Sequence, residues 1–321
     1  MTLRHAVVVT AVAGALGLTG CSGNGPSTES SAAASTTTTV AAPIIPGPPG
    51  RFLSLVGENY LNAGLYELTF GPPRLQELTP VRRVTSIGAC PTVVVVAAAQ
   101  PEVGYDDHLQ TFRQGRFGPV DGLGTPHAFY PVLGPDCRIL YVEPPLQEDA
   151  FDRLHVWDPA VKKDTVVATA PEYGGTSWGP SGAIAFVERS RTRPGFDPVD
   201  HALVVLTAKG QRREVPLPAT DTRELFWGAT NWMAFGRHTG NVTILLQPDT
   251  GERHDLAGWV PRAWSPDGKQ LLVVEAGPHR KLGLVDVSDL GTVKPLGEAP
   301  MHVLDTVWLP AGSDPVEAAA S

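Results

Sequence analysis

From residue 51 onward, apolar and polar positions alternate in short runs rather than in helical periods. Five segments carry β-branched and aromatic residues over five or six positions: "TVVVVA" from 92, "RILYVE" from 138, "AIAFVE" from 183, "WMAFG" from 232 and "QLLVVE" from 270. A period of two with Val, Ile, Phe and Tyr predicts half-buried β-strands. A turn precedes each run and a variable loop follows it. Two further alternating runs come next, as in "RLHVWDPAVKKDTVVAT" (153–169), "ALVVLTAKGQRREVPL" (202–217), "VTILLQPDTGERHDL" (242–256) and "LGLVDVSDLGTVKPL" (282–296). Their turns hold Asp-Pro, Lys-Gly, Asp-Thr-Gly and Asp-Leu-Gly, the chemistry of tight β-connections.

Set under one another, the segments form a repeat. A large apolar residue stands just before each turn, at Ile87, Leu133, Trp178, Trp227, Trp264 and Trp308, at steps of 37 to 49 residues. Four strands per unit at that spacing predict blades of a β-propeller. The ends complete the count. Three strand-like pieces, "RFLSLVG", "LYELTF" and "RLQELT", precede the first peg, and Trp308 has no blade after it. Pairing the amino-terminal strands with the carboxy-terminal one closes the ring and removes two exposed sheet edges. The expectation is an all-β, six-bladed propeller of four-stranded antiparallel blades over residues 51–313, with a disordered tail at 314–321.

Trp264-Ser265-Pro266-Asp267-Gly268-Lys269-Gln270-Leu271 resembles the repeat of the TolB-type β-propeller family. Trp178-Gly179-Pro180-Ser181-Gly182 and Leu133-Gly134-Pro135-Asp136-Cys137 are weaker copies. The resemblance implies a ring with a central channel, and a domain that mostly binds other proteins. TolB itself carries a second, amino-terminal domain. Here a different amino terminus stands in its place.

That terminus reads "MTLRHAVVVTAVAGALGLTGC". Arg4 supplies a positive start, and residues 6–20 are apolar or small, short for a membrane span and suited to a signal peptide. Leu18-Thr19-Gly20-Cys21 resembles the lipobox of bacterial lipoproteins. The resemblance implies removal of residues 1–20 and lipidation of Cys21, and two acyl chains give stable anchoring. Residues 21–50, rich in Ser, Thr, Ala and Pro, have too little apolar surface to offset ordering and read as a disordered linker. The implied location is the cell membrane, lipid-anchored on the extracytoplasmic side.

Charge narrows the partners. The formal net charge is −8, and loss of Arg4 makes it one unit more negative. Nucleic acid needs a basic footprint, so it is not an expected partner. An acidic body will not adhere to anionic lipid by charge, which leaves anchoring to the lipid on Cys21.

Three sets of residues suggest chemistry. Gly175-Thr176-Ser177-Trp178-Gly179 fits the G-x-S-x-G nucleophile elbow, which needs a helix after the Ser. Pro180 and Gly182 oppose one, and Trp178 recurs as Trp227, Trp264 and Trp308, so the segment reads as a structural peg. Cys90 and Cys137 occupy equivalent turns of adjacent blades, and an exported chain meets an oxidising compartment, which predicts a disulfide. The loops after each second strand should gather on one face. Glu143, Glu188 and Glu275 end second strands there, and His108, His201, His238 and His279 fall in or beside the same loops. These seven form the candidate binding face, with His127 and His302 nearby. The carboxylates could ring the channel mouth, or pair with local arginines such as Arg153, Arg189 or Arg280. No catalytic or metal-ligating constellation is assigned, and no cofactor. The functional expectation is a membrane-anchored protein-binding or scaffolding module with an envelope protein as partner. The alternative is a propeller hydrolase or lactonase with a metal at the channel mouth.

Overall fold

The computed structural model describes residues 47–79, 83–99, 107–124, 126–134, 136–145, 151–170, 172–189, 200–217, 222–237, 241–277 and 280–317. The lipobox, Cys21 and most of the linker lie outside them, as do His238 and His279. Six four-stranded antiparallel sheets form the blades. The first strands of blades one to five are Val84–Cys90, Phe129–Leu133, Glu172–Trp178, Thr222–Trp227 and Trp259–Trp264. Blade six joins Val303–Leu309 to Arg51–Val56, Gly64–Thr69 and Arg74–Thr79, so the ring closes with one strand from the carboxy-terminal end and three from the amino-terminal side.

First strands touch the first strands of neighbouring blades and so lie innermost. The buried apolar side chains form six clusters, one in each cleft between blades. In the cleft between blades three and four, for instance, Val187, Leu203 and Val205 meet Met233, Phe235 and Ile244. The core is therefore a ring around the axis rather than a single centre, as two-faced sheets standing side by side require.

The pegs join blade to blade. Trp178 Nε1 donates to the Val132 carbonyl (2.9 Å) and Trp264 Nε1 to that of Phe226 (3.1 Å), each in the preceding blade's inner strand. Glycine follows the peg in blades one to four, and the next peg lies on it. A Cβ at Gly88 would meet Leu133, at Gly134 Trp178, at Gly179 Trp227 and at Gly228 Trp264, at or inside contact distance. Trp308 closes the circle against the amino-terminal segment, donating to the Pro49 carbonyl at 3.0 Å.

Cys90 and Cys137 are disulfide-bonded, Cα to Cα 5.5 Å, and tie blade one to blade two on the peg side. Order continues past 313: Asp314 accepts from Arg51 (2.6 Å), and Val316 is buried against the blade six–blade one core. No helix among the described residues is long and apolar enough to cross a membrane.

Candidate functional site in the channel

The inner strands enclose an axial cavity of about 780 Å³. Near the loop-side end of every inner strand the pairing slips by one residue, skipping Thr85 in blade one, Gly174 in blade three, Arg262 in blade five and Leu304 in blade six. A β-bulge bends its strand and re-aims side chains. Six at this end give the mouth a side-chain pattern that plain alternation would not produce.

Three inner strands bring an ionic cluster together. Arg262 (8% exposed) donates through Nη1 to both Glu224 carboxylate oxygens, at 3.1 and 3.2 Å, and to the Pro261 carbonyl at 2.9 Å. Its Nε donates to the Val303 carbonyl at 3.1 Å. Burial pulls the guanidinium pKa down most strongly, but the charges of Glu224, Tyr60 and Asp305 and the Glu224 hydrogen bonds together outweigh it and leave it raised. Asp305, from the next blade, accepts from the Thr306 N–H at 2.8 Å and the Ile87 N–H at 3.3 Å. Protein surrounds this carboxyl except on the channel side. Burial pushes its pKa up to about 7; Glu224 adds to the rise, and Arg262 and the two N–H groups oppose it. Tyr60 stands at the rim, 38% exposed, and donates to the Leu304 carbonyl at 3.0 Å. Its hydroxyl pKa is held well above the usual phenol range by burial, with Arg262 opposing and Asp305 and Glu224 reinforcing.

A third carboxyl belongs to blade one. Asp107 accepts from Thr85 Oγ1 at 2.7 Å through Oδ2, while its buried Oδ1 has no hydrogen-bond partner. The hydroxyls of Ser86 and Thr176, 7% and 6% exposed, are also buried and unpartnered. All three residues line the channel. A buried polar atom left unsatisfied costs roughly 1–3 kcal/mol, so a hydrogen-bonding occupant of the channel, water included, has most to offer at these three groups.

Glu143, Glu188 and Glu275 stand one strand further out and do not line the channel. Each is held within its own blade. Glu143 meets Arg153 at 2.5 Å and His155 at 3.0 Å; Glu188 takes two bonds from Arg212, at 2.8 and 3.0 Å; Glu275 pairs with Lys281 at 3.2 Å. Of the two arrangements open from the sequence, the structure has local pairing, with Arg153 for Glu143 but with Arg212 and Lys281 rather than Arg189 and Arg280 for the other two. His108 packs its ring 5.7 Å from that of His127. His201 lies on a strand, but its side chain is outside the described residues. Among the described residues no group of three or more His, Cys, Asp or Glu is placed to hold a metal. Ser177 accepts from the Trp227 N–H at 2.9 Å and donates to the Trp178 carbonyl at 3.2 Å, which commits it to the seam between blades three and four.

The channel residues escaped the sequence reading, although a signal existed. Glu224 and Asp305 each stand three residues before a Trp peg, and Arg262 two before. Charge at that offset, on a strand facing the axis, marks the mouth.

No family model and no curated protein matches the chain. The fold is similar to that of TolB from Acinetobacter baumannii, with TM-score 0.58 and 13% identity over 81% of this chain and 67% of that one. It is similar also to a chain of a nidogen/laminin complex, with TM-score 0.54 and 14% identity over 83% of this chain and 99% of that one. At these identities the likeness is one of fold.

Proposed function

We propose that the protein is a binding module, tethered by lipid on Cys21 to the extracytoplasmic face of the cell membrane, and that it engages an envelope protein through the loop-side mouth of its channel. The observation that carries this is the set of unsatisfied buried polar atoms, on Asp107, Ser86 and Thr176, around a cavity of about 780 Å³. That volume falls in the ligand-site range of roughly 300–1,000 Å³. Exposed Tyr60 and Tyr130, at 38% and 55%, stand beside it as anchors for a partner. The hydrolase alternative lacks comparable support: Ser177 is committed to a structural bond, and Glu143, Glu188 and Glu275 are tied within their blades.

The test is capture from native membranes with a photo-crosslinking residue in place of Phe151, an exposed residue of the same loop side. A protein enriched with this chain and lost on Tyr60→Ala/Tyr130→Ala supports the mouth as the binding site. The same protein retained by the double variant moves the site elsewhere, and no reproducible partner overturns the binding reading. Labelling with a palmitate analogue, expected to disappear in Cys21→Ala, checks the anchor.

A further inference from the structure

Resting on that reading, we propose that the channel mouth receives a cationic group, the guanidinium or ammonium end of an arginine or lysine side chain presented by the partner protein, and seats it between Asp305 and Asp107.

Charge within the wall argues for it. The described residues that line the channel include three carboxyl groups, Asp107, Glu224 and Asp305, and no Lys, Arg or His. Arg262, behind the wall, is bonded to Glu224 through both carboxylate oxygens. Among the described residues Asp107 and Asp305 have no ion-pair partner. Both attach to the same strand: Thr85 donates to Asp107 and the Ile87 N–H to Asp305, with unpartnered Ser86 between them. A guanidinium or ammonium brings three or more N–H donors and no acceptor. The atoms left waiting here are carboxylate and hydroxyl oxygens, which such donors satisfy. A neutral or anionic ligand would leave the two aspartates uncompensated in a low-dielectric site, and an anion would add repulsion.

The rim fits the remainder of such a side chain. Tyr60 and Tyr130 present exposed aromatic surface beside the carboxyl groups. Cations bind over aromatic faces, and the methylene stems of Lys and Arg cover apolar surface while the charged head reaches a polar one. An acidic throat under an aromatic rim therefore suits a long cationic side chain better than a small inorganic cation.

The proposal is tested on the purified folded chain with two probes of nearly equal shape, phenylguanidinium and neutral phenylurea, by isothermal titration calorimetry and tryptophan fluorescence. The expected result is saturable binding of phenylguanidinium, at least tenfold tighter than phenylurea at pH 8. Because Asp305 ionises near pH 7, affinity should fall about tenfold between pH 8 and pH 6 as the carboxylate is neutralised. Asp305→Asn should remove both the preference and the pH dependence, and Asp107→Asn should weaken binding without removing the pH dependence. The wild-type pH profile needs no variant, so a poorly folding variant does not spare the idea. Equal binding of the two probes, or no binding of phenylguanidinium at 10 mM, overturns it. If the membrane partner is captured yet its binding is indifferent to Asp305→Asn, the cation inference fails and the binding module stands. If no partner is captured, that reading fails first.

Discussion

Ser177 and Asp305 show what single side chains do in this ring. The Ser177 hydroxyl satisfies the backbone N–H of Trp227 at the seam between blades three and four. Ser177→Ala should leave that N–H unbonded, at about 1–2 kcal/mol, or roughly 3–6 °C in Tm for a domain of this size, with phenylguanidinium binding unchanged. Differential scanning calorimetry and the titration above check both. Asp305 is the opposite case. Its carboxyl ionises near pH 7 in the folded chain against an ordinary 3.8. A raised pKa means that the folded state holds a proton the unfolded chain has released, so this residue's contribution is greatest below pH 4 and declines as pH rises to about 7. Asp305→Asn should thus raise Tm at pH 8 and change it little at pH 4, while abolishing cation binding. A residue whose loss stabilises the protein and removes the ligand is kept for the ligand. Neither role was legible in the sequence. Ser177 is read there only by exclusion, and the place of Asp305 three residues before a Trp peg marks a channel-facing charge but not the burial that shifts its pKa.

Strands and turns were legible because period-two alternation and turn residues are local, and the repeat supplied their number. The bulges were not, since a slip of one residue depends on the partner strand. Those slips separate the expected site from the observed one. The sequence reading put Glu143, Glu188 and Glu275 at the ends of second strands, and there each is tied up within its blade, by Arg153, Arg212 and Lys281. The bulged first strands carry Glu224 and Asp305 to the channel instead, with Arg262 buried behind them. At this scale the peg-glycine pair is the recurring joint. A methyl at Gly179 would overlap the Trp227 ring. Gly179→Ala should destabilise by about 1–3 kcal/mol through overpacking, whereas Gly210→Ser, in an outer hairpin where a Cβ meets nothing but φ is +75°, should lose only the backbone contribution, roughly 1 kcal/mol. Paired thermal melts distinguish a packing joint from a turn.

The whole molecule is held by closure, and its two ends carry different burdens. The peg side has the Trp seams, the Trp308–Pro49 bond and the disulfide. The loop side has the unpartnered Asp107 oxygen and the displaced Asp305 pKa. Rigidity at one end lets the other tolerate groups that disfavour folding, as functional sites commonly require. Closure was legible from three leading strands and one trailing strand; the division of labour between ends follows only from side-chain contacts. The disulfide tests it. Cys90 and Cys137 close a loop with sequence separation 47, and the chain-entropy model assigns such a loop about 4 kcal/mol. Reduction, or Cys90→Ser/Cys137→Ser, should lower Tm by roughly 10 °C. The mouth lies at the opposite end of the inner strands, so phenylguanidinium affinity at 25 °C should stay within twofold. Calorimetry with and without reductant, followed by the same titration, separates the outcomes. A large fall in Tm with affinity retained means the peg side is a fixed frame on which the mouth is built. A fall in both means the ring breathes as one body, and that the acidic mouth depends on the fit of blades one and two.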